Sequence, residues 1–368
     1  MNLPQSEQLN IERFSHLFEN KSECYKLFWF KAILEKVCSG KSELTFDELI
    51  NEMISDAWYM VTEYHLNLGP TDNLEKVVNI IKGRTDLLPS AKKADILVYL
   101  DSCVDTDVLN LKRILIQNVP YRLQAPLFDG FTANTWARRP AALQEIINNQ
   151  GHLMYYFQNY NGLNTRIKVT GDWEAYIIKN QEILRGWTDY NMIIYLQKRN
   201  PSVPGISDKL YPPIARNLDK VRKYWRDVIE AGEGLRDIYG NNLLSDIPLS
   251  IDHFVPWSYV AHDELWNLSP TTREINSMKS NHLPKWTEYF GRLAELEFNA
   301  YQIKESYPVV KDSFEKCAAE HLNNSDIFNR LYRDKQTEIE FKNQLSEIIK
   351  PVYKSAKNCG FTEWVYAS

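Results

Sequence analysis

The amino-acid sequence predicts a mainly α-helical protein of the α+β class. Long segments carry apolar residues at helical spacing, whereas the alternating pattern typical of strands is confined to short regions. Hydrophobic residues make up 44% of the 368 residues, which is enough for a substantial buried core. We expect four regions: a helical domain at residues 1–110, a mixed α/β connecting region at residues 111–200, a basic linker, helix and small finger at residues 201–290, and C-terminal helices at residues 291–368.

The N-terminal region is expected to consist of consecutive helices. Thr45 and Glu48 have the spacing of a capping box, which satisfies two backbone amides at a helix start. Apolar residues then recur at helical spacing, and a similar pattern covers residues 25–37. The first of these stripes consists of Ile50, Met53, Ile54, Ala57, Trp58 and Val61. Further helices are predicted at residues 73–82 and 90–100.

The rest of the chain is expected to contain one hairpin, a linker and more helices. An apolar run, a turn and an alternating run predict a β-hairpin at residues 153–169, followed by a helix at residues 173–196. Prolines at positions 201, 204, 212 and 213 favour an extended linker without helix, because proline cannot donate a backbone hydrogen bond. A basic amphipathic helix is predicted at residues 215–232, and later helices at residues 286–301 and 326–350.

Composition predicts a soluble, cytoplasmic protein that does not contact a membrane. No stretch approaches eighteen uninterrupted apolar residues, and the N-terminus lacks the features of a secretory signal. The five cysteines are scattered and form no Cys-x-x-Cys pair, so we expect reduced, mostly buried thiols and no zinc knuckle.

The charge is unevenly distributed along the chain. The net charge of −5 argues against non-specific binding of nucleic acid by the whole surface. Between Arg185 and Arg226, however, the sequence contains nine basic residues and only three acidic ones, an excess of six positive charges. Such a run taken alone favours a solvated helix face, but its position just upstream of residues 249–284 favours a nucleic-acid surface.

Residues 249–284 carry the groups needed to hydrolyse a phosphodiester. A predicted strand at residues 249–255 ends at Pro256 and carries Asp252 and His253, which share one site only if the strand twists or ends there. The run from Thr271 to Glu274 has capping-box spacing and opens a short helix. On that helix three polar side chains share a face: Arg273, Asn276 and Lys279.

These residues resemble the HNH motif of the ββα-metal, or His-Me finger, nucleases. Its elements are Asp252-His253, Asn267-Leu268 and Asn276-x-x-Lys279, in order and at workable spacing. The longer segment from Asp252 to Leu268 also resembles a bacterial subfamily of stand-alone HNH proteins. The resemblance implies a small ββα finger flanked by helices.

The resemblance also implies a role for each motif residue. His253 becomes the general base, and Asn267 braces the loop and orients that base. Asp252 and Asn276 become ligands of a divalent ion, Mg²⁺ or Mn²⁺. The phosphate contacts are Arg273 and Lys279.

The sequence departs from the common HNH pattern in two ways. The Cys-x-x-Cys pairs that hold a structural zinc in many relatives are missing, so apolar packing must stabilise the finger; the candidates are Trp257, Leu265, Trp266, Leu268 and Leu283. Asn276 stands where many relatives have histidine. His262 and His282 match no motif position and are expected to be structural or surface residues. A Glu-x-Lys pattern at residues 338–342 is expected to be solvent-facing helix.

The leading functional hypothesis is a metal-dependent endonuclease that cleaves DNA in a bacterial anti-phage defence or restriction system. The defence role rests on family analogy. One alternative is a nuclease effector subunit that stays inactive until a partner binds, and another is an RNA-cleaving nuclease. A homodimer or a defence-system partner protein is expected to assist cleavage of both strands.

Overall fold

The structure is a computed structural model that describes residues 2–19, 23–212 and 217–367. About 60% of it is helical and its sheets are small, which confirms the mainly α, α+β class. The chain divides into two compact units. The N-terminal unit comprises Met1–Pro201 and Leu210–Pro212, and the C-terminal unit comprises Ser202–Lys209 and Pro213–Ser368. Residues 1–110 and 111–200, two of the expected regions, lie in the first unit. Most of residues 201–290 and all of residues 291–368 lie in the second unit.

The N-terminal unit is built from short and medium helices. In chain order they are α1 (Ile11–Ser15), α2 (Tyr25–Cys38), α3 (Phe46–Thr62), α4 (Asn73–Arg84), α5 (Lys93–Asp101), α6 (Thr106–Leu115), α7 (Val119–Arg122), α8 (Ala133–Trp136), α9 (Pro140–Asn148), α10 (Gly171–Lys179) and α11 (Gln181–Arg199). The predicted capping box of Thr45 and Glu48 is present at the start of α3. The predicted helix at residues 173–196 is two helices, which meet at Asn180.

The core of the N-terminal unit is aromatic. Trp29 from α2 and Phe46 from α3 are fully buried and meet edge to face, with ring centroids 5.5 Å apart. Every member of the predicted apolar stripe on α3 is buried. The stripe therefore forms core, because its spacing places those side chains on one side of the helix.

The predicted hairpin forms part of a larger sheet. Strands β2 (Tyr155–Gln158) and β3 (Arg166–Val169) pair antiparallel. A third strand, β1 (Glu43–Thr45), pairs with β3 and was not predicted, because three residues are too short for a periodic signal.

The C-terminal unit contains the finger and the helices around it. Its elements are α12 (Asp219–Ala231), β4 (Leu249–His253), α13 (Trp257–Val260), β5 (Leu268–Thr272), α14 (Arg273–Lys279), β6 (Leu283–Pro284), α15 (Trp286–Ser306), α16 (Pro308–His321), α17 (Ser325–Leu331), α18 (Glu338–Asn358) and β7 (Glu363–Trp364). Positions 215 and 216, the start of the predicted basic helix, lie outside the described residues. The predicted helix at residues 326–350 is instead α17 and α18, and the Glu-x-Lys pattern lies in the first turns of α18.

Two segments from outside the finger are fixed to it within the C-terminal unit. Strand β7 pairs with β6 in parallel, so the end of the chain returns to the finger. The linker forms a 3₁₀ turn at Ile206–Lys209, which the expectation of a helix-free linker missed. Lys209 is buried there and donates to the carbonyl oxygens of Pro204 and Tyr259, at 2.7 and 2.8 Å. Burial lowers the pKa of Lys209 to about 8.

No helix in the described part of the chain combines the length and the apolar character needed to span a bilayer. The cysteines are free thiols; Cys24 and Cys317 are buried, and the other three are half-buried.

Candidate active site

The centre of the finger is a two-stranded antiparallel hairpin followed by a helix. Strand β4 pairs with β5 from Leu249 opposite Thr272 to His253 opposite Leu268, and α14 begins directly after β5. This is the ββα order that the motif implies. Ile251 lies opposite Pro270, in a register where the neighbouring pairs exchange the backbone hydrogen bonds. The missing N–H of Pro270 therefore costs the ladder nothing.

Helix α14 is fixed to the outer edge of β4 through side chains. Asn276 Nδ2 donates to the carbonyl oxygen of Ile251 at 2.9 Å and to Ser250 Oγ at 3.0 Å. Lys279 Nζ donates to the carbonyl oxygen of His253 at 2.7 Å. An edge strand leaves such carbonyls without a partner strand. The two motif residues on α14 satisfy them, and this brings the helix beside Asp252.

Asp252 is buried between an ammonium group and a phenol. Its Oδ1 accepts from Lys279 Nζ at 3.1 Å, and its Oδ2 accepts from the hydroxyl of Tyr239 at 2.6 Å. Both partners are buried as well. Burial lowers the pKa of Lys279, and the carboxylate of Asp252 acts in the opposite direction. Burial also raises the pKa of Tyr239, and the same carboxylate adds to that rise.

His253 points to the other face of β4, as strand alternation requires. Its Nε2 lies 2.7 Å from Oδ1 of Asp263, which is in the loop between α13 and the 3₁₀ turn Leu265–Asn267. That loop is held by the end of α16, because His321 Nδ1 lies 3.1 Å from the carbonyl oxygen of Asp263. The adjacent Glu264 accepts from Asn323 Nδ2 at 3.0 Å. The imidazole therefore has a carboxylate partner whose position is fixed from two sides.

Asn267 clamps the chain just beyond His253. It is fully buried; its Nδ2 donates to the carbonyl oxygen of Val255 at 2.9 Å, and its Oδ1 accepts from the N–H of Val255 at 2.7 Å. A side-chain amide that makes both bonds to one backbone residue fixes the direction in which the strand ends. This geometry accounts for an asparagine at the middle position of the motif.

An open cavity of about 510 Å³ lies beside Ser250 and Asn276. Its walls include two cations, Arg273 at the start of α14 and Arg222 on α12. Arg273 is exposed, and Arg222 also donates to Asp219 at 3.0 Å. The cavity has the charge and the exposure that a phosphate needs.

The turn before β4 is organised by a buried carboxylate. Asp237 Oδ1 accepts from the N–H groups of Tyr239 and Gly240, at 2.9 and 2.8 Å. Its Oδ2 accepts from the N–H and the Nδ2 of Asn242, at 2.7 and 2.9 Å. An aspartate that bonds the following amides stabilises a tight turn. This turn places Tyr239 against Asp252.

The structure departs from two expectations about these residues. Lys279 is buried on Asp252 and does not share the exposed surface of Arg273, because it follows Arg273 by six residues and is therefore rotated by about 120° around the helix, toward β4. The helix cap is Thr272, whose side chain accepts from the N–H of Ile275 at 3.1 Å, and not Thr271. Asp252 and His253 point to opposite faces of β4, and β4 ends at His253, which is the condition under which both can serve one site.

The members of the basic run at residues 185–226 have different environments. Arg185 belongs to the N-terminal unit and pairs with Glu35 there. Lys209 is buried, Lys220 pairs with Glu320, and Lys223 pairs with Asp227. Arg216 lies outside the described residues. Of the described members of the run, Arg222 is the one that lines the cavity beside Asn276.

Three residues of the site were not predicted, Asp237, Tyr239 and Asp263, and Arg222 was predicted only as a member of the basic run. Asp237, Tyr239 and Asp263 act through hydrogen bonds to motif residues or to the turn that precedes them. A local signal existed only for Asp237, because an acidic residue followed by Gly240 and Asn242 is typical of a turn. His262 is exposed, and partial desolvation of its ring lowers its pKa. His282 Nδ1 lies 2.8 Å from Thr362 Oγ1. Neither side chain forms a hydrogen bond to a motif residue in the described part of the chain.

The donor atoms of the motif fit a divalent cation. The carboxylate of Asp252 already binds a positive group, the ammonium of Lys279. Asn276 uses its amide nitrogen on β4, which leaves the amide oxygen as its available donor. Carboxylate and amide oxygens suit Mg²⁺ and related hard ions. Within residues 2–19, 23–212 and 217–367, no cluster of three or more His, Cys, Asp or Glu side chains has the geometry of a metal site.

Comparison with known proteins points to the same part of the chain. Residues 236–285 match the family model of the HNH endonucleases. Searches of curated proteins and of solved structures gave no match. The matched range begins at the turn of Asp237 and ends just after β6, so it contains the hairpin, α14 and every motif residue. The chain therefore contains an HNH endonuclease domain at residues 236–285.

Proposed function

We propose that this chain is a metal-dependent endonuclease that hydrolyses phosphodiester bonds in DNA, with His253 as the general base. The observation that carries the proposal is the coincidence of the family match with a ββα finger whose motif residues occupy one hairpin and one helix. Asn267 supports His253 by fixing the backbone of Val255. Asp263 supports it directly at 2.7 Å.

Asp252 and Asn276 are the proposed ligands of Mg²⁺ or Mn²⁺. A bound ion supplies charge stabilisation for the scissile phosphate and the leaving oxygen. With one carboxylate and one amide from the protein, affinity for the ion is expected to be low until substrate phosphate completes the coordination. Because Lys279 is buried on Asp252, we assign it to holding that carboxylate and not to binding phosphate.

Arg273 and Arg222 are the proposed contacts to substrate phosphates. Both line the open cavity beside Asn276, so a phosphate in that cavity lies next to a proposed metal ligand. Guanidinium groups bind phosphate through paired hydrogen bonds, which makes arginine well suited to this task. DNA is the proposed substrate by analogy with the resemblance to HNH nucleases, and RNA is the alternative substrate, since this chemistry needs no 2′-hydroxyl.

A second candidate is a nuclease effector subunit that stays inactive until a partner binds; the defence or restriction role belongs to the leading candidate and rests on family analogy. One observation favours the effector subunit: both carboxylate oxygens of Asp252 are engaged, by Lys279 and by Tyr239. A metal ion must compete with these bonds, and a partner protein or a second copy of the chain that shifts α14 would make that easier.

The test is cleavage of supercoiled plasmid by the purified chain with Mg²⁺ or Mn²⁺. His253→Ala is expected to slow cleavage by about 10²–10⁴, the usual contribution of a general base. His282→Ala is the matched control, because His282 lies in the same domain, its side chain bonds Thr362, and its backbone bond to Lys279 survives the substitution. Circular dichroism should show that both variants are folded.

The outcomes separate the candidates. Metal-dependent cutting that is lost only in His253→Ala supports an autonomous nuclease. Cutting by His253→Ala at the parental rate contradicts the assignment of the base. No cutting by the parent until a cell extract or partner is added, with His253 then essential, supports the regulated subunit. Preference for RNA over plasmid in the same assay identifies the alternative substrate.

A further inference from the structure

The N-terminal unit contains a cavity of about 550 Å³ that is lined partly by charged side chains. Its walls come from α2, α3, the start of α5, α11 and the segment Leu210–Pro212. Four cationic side chains and two acidic ones line it. Lys93 pairs with Asp56 and Glu52, and Arg185 pairs with Glu35, so Lys31 and Lys92 are the cations that a ligand could engage. The cavity is larger than a single inorganic anion requires and has the size of sites for small organic ligands.

Lys31 is a buried cation that lines this cavity. Its side chain is only 8% exposed, and no residue in the described part of the chain accepts a hydrogen bond from its ammonium. The nearest carboxylate oxygen is Asp56 Oδ2 at 3.9 Å, and the ring of Tyr211 lies 4.4 Å away. A buried ammonium without a hydrogen bond is costly, so an anionic group in the cavity would stabilise it.

The start of α5 supplies a second anion-binding feature on the same wall. Residues 90–93 line the cavity and lead into this nine-residue helix. Its N-cap residue, Lys92, makes no side-chain capping hydrogen bond. The first amides of a helix have no acceptor within the helix, and uncapped ones bind phosphate readily. The side chain of Lys92 is exposed at the same place.

The rest of the wall suits an aromatic body that carries hydrogen-bond donors. Tyr59 on α3 and Tyr211 present aromatic surface, and Ile96 adds an aliphatic face. Tyr211 is fixed by its hydroxyl, which lies 2.7 and 2.9 Å from the carboxylate oxygens of Asp189. Asp56 Oδ2 is buried and has no hydrogen-bond partner among the described residues. An amino or hydroxyl group of a ligand would donate to it.

We propose that this cavity binds a nucleoside phosphate. The phosphate contacts Lys31, Lys92 and the first amides of α5. The base packs against Tyr59, and a base or sugar donor bonds Asp56. The proposal stands on the N-terminal unit alone and does not depend on the nuclease function of the finger.

The test uses the full chain and measures binding by calorimetry and thermal stabilisation. The probes are the four ribonucleoside 5′-monophosphates, the matching nucleosides and inorganic phosphate. At least one monophosphate is expected to bind with a Kd below about 1 mM and to raise the melting temperature, whereas its nucleoside does neither. Lys31→Met should weaken binding at least about tenfold, because a charge-assisted hydrogen bond is lost.

Two further variants keep the test decisive. Lys179→Met removes a lysine that is exposed at the end of α10 and should bind like the parent. Lys92→Ser changes an exposed residue, so it should fold normally and weaken binding severalfold. Plasmid cleavage by all three variants should match that of the parent, which separates this site from the finger.

Three results would overturn the proposal. One is the absence of binding by all four monophosphates up to about 1 mM. Another is equal affinity of Lys31→Met, Lys92→Ser and the parent for the best monophosphate. The third is inorganic phosphate binding as tightly as any monophosphate, which would contradict a contribution from the base.

Discussion

At the scale of single residues, the neighbouring Asp252 and His253 have separate environments. Strand alternation sends Asp252 toward Lys279 and Tyr239, and sends His253 toward Asp263. A general base works only when its acceptor nitrogen faces the water that it deprotonates, and the partner of the ring decides the ring's orientation. We infer that Asp263 is a positioning residue for His253.

Asp263→Asn is expected to lower kcat for DNA cleavage by about ten- to a hundredfold, the effect typical of an outer partner that orients a functional side chain. The KM for DNA should change little, because Asp263 is not among the proposed phosphate contacts. Steady-state cleavage of a labelled duplex measures both constants.

Asp246→Asn is the control for this prediction, because Asp246 is an exposed acid of the same domain whose side chain bonds Ser245. A kcat for Asp263→Asn equal to that of the control would show that His253 needs no carboxylate partner. A change confined to KM would instead assign Asp263 to substrate binding.

At the scale of elements, α14 is held in place by its N-cap and by side-chain bonds to β4. It has only seven residues, and so short a helix is not stable by itself. Its position comes from Thr272 at its start and from the bonds that Asn276 and Lys279 make to the edge of β4. Loss of the cap should therefore disturb the proposed metal ligand Asn276.

Thr272→Ala is expected to destabilise the C-terminal unit by about 1 kcal/mol and to raise the metal concentration needed for half-maximal cleavage. Thr272→Ser keeps the hydroxyl that accepts from Ile275 and should behave like the parent. Urea unfolding and a metal titration of the cleavage rate provide the two measurements. Equal behaviour of the alanine and serine variants would mean that the cap contributes nothing to the site.

At the scale of the whole molecule, the finger is embedded in its unit. Strand β7 from the end of the chain pairs with β6, and α16 supports the loop of Asp263 through His321. Asp237 holds the turn before β4 through four hydrogen bonds. Leu265, Leu268 and Leu283 are fully buried, Trp266 is nearly so, and Trp257 is half-buried. These hydrogen bonds and apolar contacts join protein groups directly.

Removing divalent metal with EDTA is therefore expected to abolish cleavage without unfolding the chain. The melting temperature should change by no more than a few degrees, whereas a finger held by structural zinc unfolds when the metal is removed. Calorimetry and plasmid cleavage on the same sample test this, and added Mg²⁺ or Mn²⁺ should restore cleavage. A large loss of melting temperature with EDTA would reveal a structural metal.

Much of the fold follows from local sequence patterns. The stripe on α3, the capping box of Thr45, the hairpin at residues 153–169 and the ββα order of the finger all depend on residues close together in the chain. Two predictions about the N-terminal unit were incomplete. One predicted helix is divided in two at Asn180, and strand β1, more than a hundred residues earlier in the chain, pairs with the predicted hairpin. Neither event leaves a periodic signal.

The sequence by itself determined the helical class and the ordered motif from Asp252 to Lys279, because periodicity, capping and motif spacing are local. Only the tertiary structure decided that Lys279 is buried on Asp252, that Asp263 meets His253, and that Arg222 shares a cavity with Arg273. These contacts join residues up to about fifty positions apart, and the packing of the strands and helices sets their distances. A hydrogen bond between such residues forms only where the folded chain places both atoms within about 3 Å.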